Sequence, residues 1–262
     1  VKIVVLVKEV PDTYAERKLN LETGLADRDA NDRVLDEITE RATEAALTLS
    51  DAAKSAGDTD TEVTVMTLGP ETAPTAMRKA LAMGADKAVH ITDPAFLGAD
   101  LTLTAEALAA AIKNNGFDLV ITGDASTDGN AAAIPAMVAE HLEVPSLSRL
   151  TAVELHEGKV TGSREADGGN QQVSAPLPAV VSITEQLPDA RFPNFKGIVA
   201  AKKKPVETLS LADLGISAGV EIPRSIMLSV SEKPPREAGV KIVDEGDAGQ
   251  RLAAFLKENK LV

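Results

Sequence analysis

Short apolar runs alternate with longer amphipathic stretches from Lys2 to Pro145. Lys2–Val7, Glu62–Leu68, Ala88–Ile91 and Phe117–Ile121 read as strands buried on both faces. Gly69-Pro70 closes the second of them. The stretches between read as helices. Leu35–Ala53 carries Leu35, Ile38, Ala42, Ala45 and Ala46 near helical spacing, Thr72–Met83 ends at Gly84, and Asp100–Asn114 stops at Asn115-Gly116. Ala131–Leu142 is a further helix, stopped by Pro145. Four strand–helix units in a row predict an α/β fold, with a mostly parallel sheet and helices on both faces. Ligands of such sheets bind outside the carboxyl ends of the strands. The polar, irregular connection Lys8–Arg33, the Leu68-Gly69 step and the turn after Ile121 all fall on that edge. The opening VKIVVLVKEV is expected to be the first buried strand rather than a signal peptide, because Lys8-Glu9 interrupts it and no small-residue cleavage site follows.

From Ser146 the pattern changes. Leu150–Leu155, a turn at His156-Glu157-Gly158, Lys159–Arg164 and Gln171–Ser174 predict antiparallel strands with a polar face, and Leu177–Ile183 another buried strand. Thr184–Lys204 has little periodicity and holds two of the five Phe residues. Phe192 and Phe195 beside Lys202-Lys203-Lys204 form a docking loop if exposed, because apolar anchors rimmed by charge mark interaction sites; the other reading folds both rings onto the core. The remainder holds Leu211–Ile216, a strand-like Ile226–Glu232, a turn at Lys233-Pro234-Pro235 and a helix from Ala248 to Glu258. It is too thin to fold alone and is expected to pack on the first domain or on a partner.

The chemistry-bearing stretch is the turn Gly123-Asp124-Ala125-Ser126-Thr127-Asp128-Gly129-Asn130 between a buried strand and a helix. Free N–H groups of a first helical turn and the helix dipole favour an anion there, and small side chains let it approach. The plainer reading treats these residues as ordinary N-caps. The net charge of −13 argues against nucleic acid, whose binding rests on Lys and Arg. One Tyr, five Phe and no Trp leave little to stack bases on. No Cys is present, so thiol catalysis and cysteine–metal sites are excluded. No run approaches the roughly 18 apolar residues of a membrane span, and the expected location is the cytoplasm. His90, His141 and His156 read as structural; the pairs Asp36-Glu37 and Glu165/Asp167 read as surface or salt-bridge carboxylates rather than a general acid and base. Neither GxGxxG nor GxxxxGK[ST] occurs. The residues alone describe a nucleotide-binding α/β protein with a docking loop and no evident catalytic machinery.

Several segments resemble one family along nearly the whole chain. Val5-Leu6-Val7-Lys8 with Val10-Pro11-Asp12 looks like its opening strand, and Ala80-Leu81-Ala82-Met83-Gly84-Ala85-Asp86 matches a distinctive segment. Arg164-Glu165-x-Asp167-Gly168-Gly169 matches its hairpin, Leu177-Pro178-Ala179-Val180-Val181 its next strand, and Phe192–Lys204 its recognition loop. Asp213-Leu214-Gly215 and Pro234-Pro235-x-x-x-Ala238-Gly239-Val240-Lys241 follow in order. The family is the beta subunit of electron transfer flavoproteins.

The resemblance implies a Rossmann-like, adenine-nucleotide-binding type of doubly wound sheet with a β-hairpin extension and a C-terminal arm. The expected divisions are residues 1–183, a partner-recognition loop 184–204 and an arm 205–262 on the domain or on the alpha subunit. It implies an electron carrier without catalytic residues of its own. FAD is held mainly by the alpha subunit, electrons come from acyl-CoA and other dehydrogenases, and they pass to a membrane quinone oxidoreductase. It also implies a structural AMP. The residues expected to hold AMP are Leu6, Asp36, Glu37, Ile38, Thr39, Leu68, and Gly123, Asp124, Ala125, Ser126, Thr127, Asp128, Gly129, Asn130, Ala131, Ala132, Ala133 and Ile134. Phe195 takes the place of the recognition-loop anchor, with Phe192 and Ile198 beside it, and Glu165 faces the alpha subunit. One departure is Asn130-Ala131-Ala132-Ala133-Ile134, where the family commonly has polar side chains; phosphate binding then rests on the main chain with Ser126 and Thr127. The alternatives are an electron-bifurcating subunit with a second FAD in the same site, and a stand-alone ATP-binding regulatory protein.

Overall fold

A computed structural model describes residues 1–14, 16–216, 225–236 and 238–262. It divides into two compact units, Val1–Leu228 and Ser229–Val262. The expected 8–33 connection includes residue 15, and the expected 205–262 arm includes residues 217–224 and 237, which lie outside the described residues.

In the first unit the chain runs β1 (Lys2–Leu6), β2 (Glu9–Pro11), β3 (Arg33–Leu35), α1 (Glu37–Ser55), β4 (Glu62–Leu68), α2 (Pro74–Met83), β5 (Lys87–Ile91), α3 (Leu101–Asn115), β6 (Leu119–Gly123) and α4 (Ile134–Leu142). It continues through β7 (Ser146–Leu150), β8 (Ala152–His156), β9 (Lys159–Ala166), β10 (Gly169–Pro176), β11 (Ala179–Ile183), α5 (Phe195–Ala201) and β12 (Val206–Leu209). Seven strands make one sheet in the order β12-β5-β4-β1-β6-β11-β7, and every pairing in it is parallel. Alternate side chains of a strand face opposite ways, so each central strand feeds two cores. Ile3, Val5, Val65, Leu119 and Ile121 pack with α1 and α2 through Ala42, Ala46, Met77 and Leu81. Val4, Met66, Val120 and Val180 pack with α3 and α4 through Leu108, Ile112, Val138 and Leu142. This is the doubly wound α/β fold expected from the apolar runs.

The structure corrects several boundaries. Leu35 belongs to β3, which pairs antiparallel with β2, so the 8–33 connection begins and ends in a ribbon rather than being irregular throughout. The helix expected from Ala131 starts at Ile134, because Asn130 and Ala132 hold φ of 48° and 52° and cannot be helical. Pro135 then takes its preferred place in the first turn. The strand expected over Leu150–Leu155 is two strands: β7 ends the main sheet, and β8 opens a separate antiparallel sheet with β9 and β10. Thr184–Lys204 contains α5, capped by Asn194 Oδ1 accepting from Gly197 N–H at 2.8 Å. Ile226–Glu232 forms no strand and pairs with no strand among the described residues, so its alternating pattern is not realised. In the second unit, α6 (Ala248–Glu258) carries Leu252, Phe255 and Leu256 at helical spacing.

Two cationic side chains close the seam between α2 and α5. Lys204 Nζ donates to Leu81 O (2.9 Å) and Ala85 O (2.6 Å) at the end of α2, where unpaired carbonyls favour a cation. Burial pushes its pKa down, opposed by Asp86. Arg78 Nη1 reaches Ala201 O at 2.5 Å. The segment before α5 is fixed to α1 by a fork-on-fork pair, in which Arg191 Nε and Nη2 donate to Glu44 Oε2 (2.8 Å) and Oε1 (2.9 Å). Burial alone would raise the Glu44 pKa, but the Arg191 side-chain and backbone donors hold it below the usual carboxylate value.

A group with a depressed folded pKa stabilises the fold above its unfolded pKa, about 4.3 for Glu, and loses that contribution as pH falls through the folded value. Glu44→Gln is therefore expected to lower stability by about 1–3 kcal/mol at neutral pH. Its deficit should shrink below about pH 4 as the native carboxyl protonates. Paired urea titrations across pH check this; a deficit that stays constant down to pH 3 would rule out the charged pair as its source.

Candidate functional site

The sheet order puts the switch point at β1. The chain moves outward from β1 to β4 and β5, then returns to β6 on the other side. The carboxyl ends of β4, β1 and β6 are therefore neighbours. Leu6 pairs in register with Met66, two residues before Leu68, and Val5 with Ile121, two residues before Gly123. Crevices of this kind, where strand order reverses, are where doubly wound sheets take ligands. The structure thus brings together the expected residues Leu6, Leu68 and Gly123–Ile134.

The start of α1 joins them. Asp36 is 1% exposed, and its side chain does not cap its own helix. Its Oδ2 instead accepts the N–H of Thr127 at 2.9 Å, across to the turn after β6. Its main-chain oxygen takes the helical N–H groups of Thr39 and Glu40. Burial raises the Asp36 pKa, partly offset by the Thr127 N–H, and the nearby Asp128 charge adds to the rise. Asp36 Oδ1 and Thr127 Oγ1 are both buried without a hydrogen-bond partner among the described residues. Ile38 lies against Gly123, where an added Cβ would stand 2.7 Å from Ile38 Cγ2; glycine is what allows α1 to approach the strand end. Thr39 is buried, whereas Glu37 is exposed and faces Arg41 at 3.5 Å. Asp36 and Glu37 are thus separated by burial and do not form an acid–base pair.

Asp128 is the charge centre of the turn. Its side chain is 7% exposed and receives Lys8 Nζ at 2.6 Å and Arg28 Nη2 at 3.0 Å. Burial would raise its pKa, but Lys8, Ser126 and Arg28 hold it far below the usual carboxylate range. Lys8 also donates to Ser126 Oγ at 3.2 Å, and Arg17 Nη1 to Thr127 O. Ser126 O accepts the N–H of Asn130, and Asp124 N–H reaches Ile183 O, which bind the turn to itself and to β11. The N–H groups of Ala131, Ala132, Ala133 and Ile134 have no acceptor among the described residues. A row of free main-chain donors beside a buried hydroxyl and a cluster of cations is suited to holding an anion.

Lys8, Arg17 and Arg28 were not among the residues expected from the sequence. Lys8 lies two residues past the end of β1 on the ligand edge, which is a usable signal. Arg17 and Arg28 come from a polar connection whose path is set by the β2–β3 ribbon and by an antiparallel bridge between Leu19 and Ala26. The histidines lie apart from the turn's charges. His90 Nε2 stands 3.1 Å from both Gly69 O and Pro70 O and braces the bend after β4, while His156 lies 3.1 Å from Glu154 on the antiparallel sheet. His141 is within α4.

The remaining expected residues lie elsewhere. Glu165 is exposed on β9 and accepts from Gln186 Nε2 at 2.9 Å; with Asp167, Ser148, Arg149 and Arg164 it lines a shallow groove. Phe192 is 96% and Phe195 80% exposed, so neither ring folds back on the core, and Ile198 is half exposed on the same helix as Phe195. Among the described residues, no helix is long and apolar enough to cross a membrane, and no group of three His, Asp or Glu could hold a metal ion.

Comparison with known proteins assigns the chain to a family. Residues 23–214 match the electron transfer flavoprotein domain family. The chain is 47% identical over 264 residues to the electron transfer flavoprotein subunit beta of Mycobacterium tuberculosis (strain ATCC 25618 / H37Rv), covering 99% of each chain. It is 48% identical over 265 residues to the corresponding subunit of Mycobacterium leprae, again covering 99% of each. It is also 31% identical over 269 residues to the caffeyl-CoA reductase-Etf complex subunit CarD of Acetobacterium woodii, covering 100% of both. Matched through most of its length by the domain and over nearly its full length by these subunits, the chain belongs to the electron transfer flavoprotein beta-subunit family.

Proposed function

We propose that this chain is the beta subunit of a cytoplasmic heterodimeric electron carrier and holds a structural AMP at the turn after β6. The observation that carries the nucleotide reading is the row of unpaired N–H groups over Ala131–Ile134 beside the buried Thr127 hydroxyl. The departure at Asn130–Ile134 removed side-chain donors but kept these main-chain ones. A monophosphate would take them, with Ser126, Thr127 and Lys8 at its rim. The base and ribose would lie along the ends of β1 and β4, by Leu6 and Leu68, with Asp36, Glu37, Ile38 and Thr39 as the wall formed by α1. FAD, held mainly by the alpha subunit, supplies the electron chemistry when bound. This chain's residues act by binding and by docking, without catalytic groups of their own.

Docking falls to Phe192, Phe195 and Ile198. Exposed rings flanked by Lys196, Lys202 and Lys203 suit an apolar pocket rimmed by acidic groups on a partner dehydrogenase, with acyl-CoA dehydrogenases as the main class and fatty acid β-oxidation as the setting. Glu165 on the hairpin and the 205–262 segment are the proposed contacts with the alpha subunit, and a membrane quinone oxidoreductase is the proposed electron acceptor. The similarity to CarD, a subunit of a reductase–Etf complex by its name, keeps open a second reading: a bifurcating subunit with a second FAD in the same site. A stand-alone ATP-binding regulator is the reading the exposed Phe192–Ile198 surface favours least.

Two measurements test these points. Denaturing the co-expressed heterodimer and counting released nucleotides is expected to give one FAD and one AMP; two FAD and no AMP would establish the bifurcating reading instead. Phe195→Ala is expected to leave flavin content intact and to slow reduction of the heterodimer by an acyl-CoA dehydrogenase about tenfold below saturation, the loss of one anchor of about 1.4 kcal/mol. An unchanged rate in stopped-flow would remove Phe195 from that role.

A further inference from the structure

The segment that presents Phe192, Phe195 and Ile198 is tied down at both ends. On its leading side, Arg191 forks onto Glu44 and also reaches Asp51 Oδ2 at 3.0 Å, while its own N–H donates to Glu44 Oε2 at 2.9 Å. Two residues earlier Asp189 pairs with Arg41, whose guanidinium also donates to Leu187 O at 2.5 Å. All of these α1 contacts come from one outer face of the helix, at Arg41, Glu44 and Asp51. On the trailing side, α5 packs on α2 so closely that a Cβ at Gly197 would lie 2.3 Å from Ala82 O. Arg78 and Lys204 then close the far end. Between these anchors the two rings stand in solvent.

A ring held in solvent gains nothing for the fold, whereas immobilising flexible side chains and loops at the moment of association costs affinity. We infer that the Arg191–Glu44 fork and the Gly197–Ala82 contact pre-form the docking element, making Arg191 and Gly197 positioning residues that set affinity for the partner dehydrogenase. This rests on the docking role proposed for Phe195. The fork suits such a task better than a lysine would, because its planar geometry fixes direction as well as distance.

The test uses the intact heterodimer. Amide hydrogen exchange is followed by mass spectrometry in Arg191→Lys and, separately, in Gly197→Ala, which leaves the fork untouched. Each variant is expected to speed exchange at least about tenfold across Phe192–Ile198 and to leave other peptides unchanged. With an acyl-CoA dehydrogenase reduced by its own acyl-CoA, each should raise the KM for the heterodimer about three- to tenfold at unchanged kcat, because the electron path is untouched once docked. Unchanged exchange in both variants overturns the inference. So does faster exchange with an unchanged KM while Phe195→Ala raises it, since pre-formation would then not be used. If Phe195→Ala also leaves KM unchanged, the docking role itself fails, and the exchange data alone decide whether the segment is pre-formed.

Discussion

A single buried carboxylate joins the two halves of the candidate site. Asp36 begins α1 and accepts the N–H of Thr127 from the turn after β6, at a place where solvent is almost fully excluded. A buried charge is costly unless it is paired, and here one oxygen is paired while the other has no donor among the described residues. The approach of Ile38 to Gly123 tightens the same junction. Once α1 and the turn are locked together, the turn's main chain must leave the strand in left-handed steps at Asn130 and Ala132, and α4 cannot start before Ile134. The free donors over Ala131–Ile134 are a consequence of that path. The proposed anion-binding character of the edge therefore depends on a contact made by a residue that never needs to touch the anion.

Asp128 extends the junction outward. Its two cations come from different segments, Lys8 from just past the end of β1 and Arg28 from the connection between β2 and β3. Arg17, from the same connection, reaches Thr127 O. Each of these pairs is partly solvated and would contribute little if isolated. Lys8 and Arg28 share one nearly buried carboxylate, however, and that makes them a network rather than separate surface pairs.

The sheet was legible because its strands are buried on both faces. Val4-Val5-Leu6 and Leu119-Val120-Ile121 leave no polar alternation to confuse the reading, and the Gly and Pro stops fall close to the observed ends. The proposed ligand edge follows from topology. What could not be read was decided by contacts distant in sequence. Ala131–Ala133 have high helix propensity, yet they are held out of α4 by the turn's tie to α1. Leu150–Leu155 looks continuous, but β7 leaves the main sheet at Leu150 and a second sheet begins at Ala152. Ile226–Glu232 has the composition of a strand but pairs with no strand among the described residues. Arg17 and Arg28 carry no local signature, since an arginine in a polar connection is ordinarily solvated.

One helix serves both proposed functions of the chain. The first residue before α1 holds the nucleotide turn through Asp36, and Arg41, Glu44 and Asp51 on its outer face hold the stem of the docking segment. From Asp36 to Glu44 is two turns, about 12 Å at 1.5 Å per residue, and a helix packed along its inner face on Ala42 and Ala46 does not stretch. The separation between the nucleotide turn and the stem of Phe192 is therefore a property of the α1 backbone rather than of either loop. A nucleotide bound at the turn would then be structural in a physical sense: by filling the donors over Ala131–Ile134 it would remove the main reason for that turn to open, and so hold the start of the helix that carries the docking stem.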